Sequence, residues 1–139
     1  MLRYDTEITV RFEDADPAGV VFYPRALALA HAAVEEMIRR SALGWEEWFA
    51  SKTHAAPLRR AEADFFLPMR AGERFTARAS VEKIGDTSVE FSVAFANSRD
   101  EVAAKIRTVH VLVDSSTGRP KPLADAMRAA FAGGPVRSS

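Results

Sequence analysis

Between Leu58 and Val113 the side chains alternate in character at nearly every step. Phe75, Ala77, Ala79 and Val81 interleave with Thr76, Arg78, Ser80 and Glu82, and Val89, Phe91, Val93 and Phe95 repeat the pattern in the next run. A period of two is the mark of a strand with one face buried, because successive side chains leave opposite sides of the backbone. Four such runs are expected, at Leu58–Leu67, Arg74–Ile84, Thr87–Ala96 and Val102–Val113. Gly85-Asp86 and Ser98-Arg99-Asp100 supply the turns, the first being the better hairpin signal. Glu7 to Phe12, with Ile8, Val10 and Phe12 set against Thr9 and Arg11, adds a further strand near the start.

One segment breaks this rhythm at length. From Arg25 to about Ala42 the apolar residues Leu27, Ala30, Val34, Met37 and Ile38 fall at three- and four-residue steps, with Glu35, Glu36, Arg39 and Arg40 on the polar side. Pro24 suits the first helical turn, where its missing N–H is not needed. Alanines at 26, 28, 30, 32 and 33 keep the helix thin, so a sheet can pack close against it. Gly44 interrupts it, Trp45–Phe49 forms a short further helical turn, and Asp125–Phe131 a short terminal helix.

The expected class is therefore α+β, with one long helix wrapped by a five-stranded, mostly antiparallel sheet. At 139 residues there is material for one core, assigned to residues 1–132, with 133–139 as a flexible tail. Such a sheet has a face to cover and edges to protect, and pairing with a second copy answers both needs.

Composition narrows the function classes. Nineteen basic residues balance nineteen acidic ones, so no overall basic field draws in nucleic acid or an anionic membrane. The absence of cysteine removes disulfides and thiol nucleophiles, and His31, His54 and His110 lack metal-ligand spacing. The stretch Ala26–Val34 falls far short of the roughly 20 apolar residues of a membrane helix. The charged start, Met1 to Glu7, has no apolar signal core. A cytoplasmic location is expected.

The run Glu13-Asp14-Ala15-Asp16-Pro17-Ala18-Gly19 has loop chemistry and leads into the long helix. A carboxylate there lies near free N–H groups and the positive end of the helix dipole. Acyl transfer needs that pairing: a base or nucleophile at the carbonyl carbon and N–H donors for the oxygen that becomes negative. Pro24 has no N–H, so Tyr23 or Arg25 is the candidate donor, Tyr23 being preferred. The simpler reading of an acidic residue before a helix is a cap or turn former.

The longer run Phe12-Glu13-Asp14-Ala15-Asp16-Pro17-Ala18-Gly19-Val20-Val21-Phe22-Tyr23-Pro24 resembles the signature of the 4-hydroxybenzoyl-CoA thioesterase family of hotdog proteins. Pro57 to Glu73, with Phe66-Leu67-Pro68 and Gly72-Glu73, is similar to the family's second strand and the turn after it. The resemblance, which spans about residues 4–115, implies the hotdog fold and an acyl-CoA thioesterase acting on a small aroyl or short-chain acyl thioester without metal or bound cofactor. By position it makes Asp16 the nucleophile or general base and the backbone N–H of Tyr23 the oxyanion donor. Gly19, Phe22 and Pro24 then border the substrate. It also implies a homodimer or homotetramer with active sites formed between subunits.

The sequence departs from its relatives in places. His31 stands where many of them carry Asp or Glu; it is a substrate-binding candidate beside the plainer reading of a core or interface histidine. His54, expected in an exposed loop, is a second candidate, lining the partner's pocket, and His110 reads as structural. The basic residues that bind CoA phosphates in several relatives are replaced by Gly85-Asp86-Thr87, with Arg59, Arg60, Arg70, Arg74 and Lys83 as substitutes. An acyl carrier protein substrate therefore stays open, as does a non-catalytic acyl-thioester-binding protein. Phe22, Leu29, Trp45, Trp48 and Phe49 suit an apolar acyl pocket or plain packing. A hydratase needs a histidine in the loop motif, and none lies between Asp14 and Pro24.

Overall fold

The computed structural model describes residues 1–134. Strand β1 spans Arg3–Thr9, and a 3-10 turn at Phe12–Asp14 leads through the acidic loop to helix α1, Tyr23–Arg40. Helix α2 (Trp45–Phe49) and the short strand β2 (His54–Ala55) follow. The long strands are β3 (Leu58–Phe65), β4 (Arg74–Ile84), β5 (Ser88–Ala96) and β6 (Val102–Val111), and the chain closes with β7 (Val113–Asp114) and α3 (Asp125–Phe131).

Five strands form one sheet in the order β1-β4-β5-β6-β3, each neighbouring pair antiparallel. Helix α1 lies across its inner face, against β1, β4, β5 and β6. The period-two residues of β4 and β5 (Phe75, Ala77, Ala79, Val81; Val89, Phe91, Val93, Phe95) are all buried there. Facing them are Ala26, Ala30, Ala33, Val34, Met37 and Ile38 of α1. Each large side chain so buried contributes roughly 1.5–3 kcal/mol, and the alanines let the helix axis approach the sheet. Trp48 closes one end of this core, edge-on to Phe131 at 5.1 Å and to Phe91 at 6.2 Å between ring centroids. No helix among the described residues is long and apolar enough to cross a membrane.

Several expectations need correction. The first strand begins at Arg3 and stops at Thr9, so Phe12 leaves the alternation and stands 92% exposed on the 3-10 turn. Val10 remains buried because its N–H bonds the carbonyl of Glu73 and its carbonyl takes the N–H of Gly72. The alanines of α1 divide: 26, 30 and 33 face the sheet, while 28 and 32 are exposed. Trp48 belongs to the core and not to an acyl pocket.

His54 is buried rather than exposed. It sits in β2, paired with Asp114 of β7, a two-stranded ribbon that carries no periodic signal in so short a stretch. Gly133 and Gly134 return hydrogen bonds to Ala130 and Ala129 and so finish α3; the rest of the expected tail, 135–139, lies outside the described residues.

Strand β3 differs from its neighbours. Among the described residues it pairs only with β6, and every residue of it but Glu62 is exposed. Leu58, Phe65, Phe66 and Leu67 show 39–61% of their surface along this open edge.

Candidate active site

The acidic loop is folded on itself and then tied to a second segment. The Asp16 N–H bonds the Val20 carbonyl at 2.9 Å, the Gly19 N–H bonds the Asp16 carbonyl at 2.9 Å, and Ala15 bridges Val21. Residues 69–71 run alongside: the Val21 N–H reaches the Met69 carbonyl at 2.7 Å, the Ala71 N–H reaches the Gly19 carbonyl at 3.1 Å, and Val20 bridges Arg70. The two stretches that stand out in the sequence thus brace one another. The turn behind them is held by Glu73, whose carboxylate accepts the Arg70 N–H at 2.6 Å.

The two aspartates of the loop do different work. Asp14 is 1% exposed, and its Oδ1 accepts two bonds from the Arg25 guanidinium, at 3.0 and 2.8 Å, while Oδ2 accepts the Arg11 N–H at 2.8 Å. Its carbonyl takes the Phe22 N–H at 2.8 Å. Asp14 therefore clamps the loop to the first turn of α1. The residue types were visible in the sequence, but only the fold shows that Asp14 is the buried one and Arg25 its partner.

Asp16 is half-buried, and its Oδ1 accepts the N–H groups of Ala18 at 2.9 Å and Val20 at 3.4 Å. Oδ2 has no hydrogen-bond partner among the described residues, so one oxygen orients the carboxylate and the other is left for chemistry. Gly19 adopts φ +81°, the left-handed region that L side chains rarely occupy, and a Cβ there would meet nothing within 4 Å. Gly19→Ala is expected to cost about 1 kcal/mol through backbone strain alone, measured as a small drop in denaturant midpoint.

Asp16 lines a cleft of about 440 Å³ together with Val20, Val21, Phe22, Tyr23 and the segment Phe65–Met69. Tyr23 is the first residue of α1 and Pro24 lies in its first turn, so the Tyr23 N–H has no acceptor within the helix. No acidic residue sits in that turn, and the positive end of the helix dipole is not neutralised from within the helix. The Phe22 and Tyr23 rings meet edge-on at 5.4 Å and are 48% and 63% exposed. Phe65, Phe66 and Leu67 add an apolar wall that residue spacing alone did not single out as part of a site.

These features suit attack on an acyl carbonyl. The profile of the thioesterase-like superfamily matches residues 10–131. The chain belongs to that superfamily. It is 33% identical over 117 residues to a 1,4-dihydroxy-2-naphthoyl-CoA hydrolase of Nostoc punctiforme, covering 84% of this chain and 78% of the relative. A protein of the same name from Gloeothece citriformis is 30% identical over 86% of this chain and 85% of its own. The solved structure of a 1,4-dihydroxy-2-naphthoyl-CoA thioesterase from Synechocystis superposes with a TM-score of 0.85 at 23% identity, covering 94% of this chain and 96% of that one. The α+β fold expected from the strand and helix pattern is the hotdog fold of these thioesterases.

Within this member of the superfamily the other candidates are dispersed. His31 is exposed on α1, 3.8 Å from the Glu35 carboxylate and edge-on to Phe49 at 5.8 Å; it does not line the Asp16 cleft. His54 also lies away from it, its Nε2–H donating to the Glu47 carbonyl at 2.7 Å and Nδ1 facing the hydroxyls of Ser51 and Thr53. Trp45 donates to Glu35 at 2.8 Å, outside the cleft. Among the CoA-phosphate substitutes, Arg60 pairs with Glu62 and Arg74 with Glu7, while Arg59, Arg70 and Lys83 make no ion pair among the described residues. At the Gly85-Asp86 turn, Arg128 of α3 donates to both carbonyls at 2.9 Å.

The fold perturbs the titration of His110. Burial pushes its pKa below the ordinary value of 6.5, a hydrogen bond with the Ala56 carbonyl at 2.9 Å opposes this, and charge on nearby His31 adds to the lowering. The unfolded chain then takes up this proton at a higher pH than the folded chain, so the stability present above about pH 6.5 is lost as pH falls through the lower folded value. His110→Gln is expected to lose less of its Tm than the wild type between neutral pH and about pH 5, as read by thermal denaturation at the two pH values.

Proposed function

We propose that this thioesterase hydrolyses an aroyl-CoA, with Asp16 as the reacting carboxylate and the Tyr23 N–H as oxyanion donor. The observation that carries the reading is the cleft lined by both Asp16, whose Oδ2 has no partner among the described residues, and Tyr23, the first residue of an 18-residue helix, whose N–H has no acceptor within that helix. The carboxylate attacks the thioester carbon or takes a proton from the attacking water. On either route the carbonyl oxygen gains negative charge, which the Tyr23 N–H and the helix dipole stabilise. Water supplies the oxygen of the free acid, and CoA leaves as its thiol. Phe22, Phe65, Phe66 and Leu67 offer a flat apolar wall on which an aromatic acyl group stacks. The hydrolase names borne by the relatives point to the same substrate class.

The working unit is a dimer or larger assembly. The open edge of β3 presents unpaired backbone groups and four large apolar side chains, a surface that natural sheets keep covered. The exposed Ala28 and Ala32 of α1 leave room for a close neighbour. A second β3 pairing antiparallel with the first would bring a partner's residues to the Phe65–Leu67 wall. Light scattering coupled to gel filtration checks this, and a monomeric mass at micromolar concentration rejects it.

The activity itself is tested by release of free CoA thiol from aroyl-, phenylacetyl- and short aliphatic acyl-CoAs. Turnover confined to the aroyl members supports the assignment. Turnover confined to the aliphatic members keeps the thioesterase and rejects the aromatic substrate.

A further inference from the structure

The face of the sheet turned away from α1 carries a cavity of its own, of about 350 Å³, with Arg3 of β1, Arg78 and Ser80 of β4, Ser92 of β5 and Lys105 of β6 in its lining. Ser80 and Ser92 alternate with Ala79, Val81, Phe91 and Val93, the buried residues that face the helix, so their side chains leave the sheet on the other side. Ser92 is nevertheless only 3% exposed. Its hydroxyl has no hydrogen-bond partner among the described residues, and it is not completely sealed, because no fully sealed side-chain oxygen there is left without a partner. It therefore opens into the cavity it lines. Buried polar groups are nearly always paired, and this one has only the contents of the cavity to pair with.

The strand register places cations around that hydroxyl. Ser80 pairs with Arg3 on one side and with Ser92 on the other, and in the next row of the same face Ala94 pairs with Arg78 on one side and with Lys105 on the other. Directly paired residues share a face of the sheet, and neighbouring strands lie about 4.8 Å apart. Two hydroxyls and a methyl group thus make a low floor, and three cationic side chains stand one strand spacing from it. Arg3 is exposed and makes no ion pair among the described residues. Arg78 meets Asp100 through one nitrogen, and Lys105 lies 3.9 Å from Glu82, the one carboxylate in the lining. An arginine has five N–H donors and a lysine three, so each keeps donors to offer.

We propose that this outer cavity is a second binding site, for a phosphate-type oxyanion: the Ser80 and Ser92 hydroxyls donate from the floor, and Arg3, Arg78 and Lys105 from the sides. A phosphoryl group carries several acceptor oxygens on one centre and takes paired N–H groups from a guanidinium, which matches a site rich in converging donors. The volume exceeds that of one phosphate and admits pyrophosphate or a phosphate ester. The cavity shares no lining residue with the Asp16 cleft. The site stands or falls independently of the thioesterase chemistry.

The test follows backbone amide resonances of the full chain by NMR during titration with inorganic phosphate, pyrophosphate and adenosine 3′,5′-bisphosphate, each at constant ionic strength. Saturable shifts are expected at Ser80, Ser92 and Ala94, and the anion that binds tightest separates a free phosphate or pyrophosphate from the phosphates of a nucleotide. Arg3→Gln and Ser92→Ala are each expected to weaken that binding about tenfold, whereas Arg59→Gln, an exposed cation outside the cavity, leaves it unchanged. Both Arg3→Gln and Ser92→Ala alter side chains without a hydrogen-bond partner among the described residues, so the fold is retained. No saturable shift at the three residues, or shifts confined to Val20–Tyr23, overturns the site. Binding that weakens equally in Arg59→Gln reports charge screening and overturns it as well.

Discussion

Asp16→Asn is expected to lower kcat for aroyl-CoA hydrolysis by at least about a thousandfold, within the range associated with losing a positioned acid–base or nucleophilic group, while leaving the melting temperature nearly unchanged. The reason lies in how the carboxylate is held. Its Oδ1 serves the loop by accepting the Ala18 and Val20 N–H groups, and an amide oxygen can do the same. What asparagine lacks is the charge and basicity of the second oxygen. Asparagine thus separates the structural role from the chemical one, where alanine would remove both. A variant with near-normal turnover reduces Asp16 to a turn former; lost turnover with an unchanged denaturation curve identifies it as the reacting group.

Arg25→Met is expected to destabilise the protein by about 3 kcal/mol, the lower end for breaking a buried ion pair, which corresponds to a fall in Tm of about 10 °C for a chain of this size. The lower end applies because the arginine side chain is 44% exposed while the Asp14 side chain is 1% exposed. Methionine keeps the length of the side chain but leaves the buried carboxylate with only the Arg11 N–H. Adding Asp14→Asn to Arg25→Met removes the stranded charge and is expected to recover part of the loss. Because Asp14 also fixes Phe22 through its carbonyl, the single variant should lose kcat as well, through a misplaced Tyr23 N–H. Thermal denaturation and steady-state kinetics on the single and double variants check both effects; an Arg25→Met protein as stable as wild type would show that the pair is dispensable.

How much of this could be read beforehand depends on the range of the interactions involved. The strands of the main sheet, the long helix and the terminal helix were legible because alternation and three-to-four spacing are local patterns imposed by burial on one side of an element. Pro24 at the start of α1 and Asp16 in the loop were legible for the same reason: each is a requirement of a few consecutive residues. The end of the first strand was not legible because Val10 and Phe12 keep the period of two, while hydrogen bonds of Val10 to Gly72 and Glu73 follow the strand's end at Thr9.

The site divides in the same way. Asp16, Tyr23 and Phe22 come from one short stretch, and the sequence by itself determined that they would lie close together. Tertiary structure alone decided the rest. It chose which aspartate is buried, because Asp14 meets Arg25 eleven residues away. It brought Phe65–Met69 to the cleft, because the Val21 N–H finds its acceptor on Met69, forty-eight residues on. It buried His54 by pairing it with Asp114, sixty residues on, and it gathered His31, Thr108 and His110 around one small cavity. Local patterns follow from steric and burial rules that act within a few residues; which distant donor meets which acceptor is settled only when the whole chain packs and every buried polar group must find a partner.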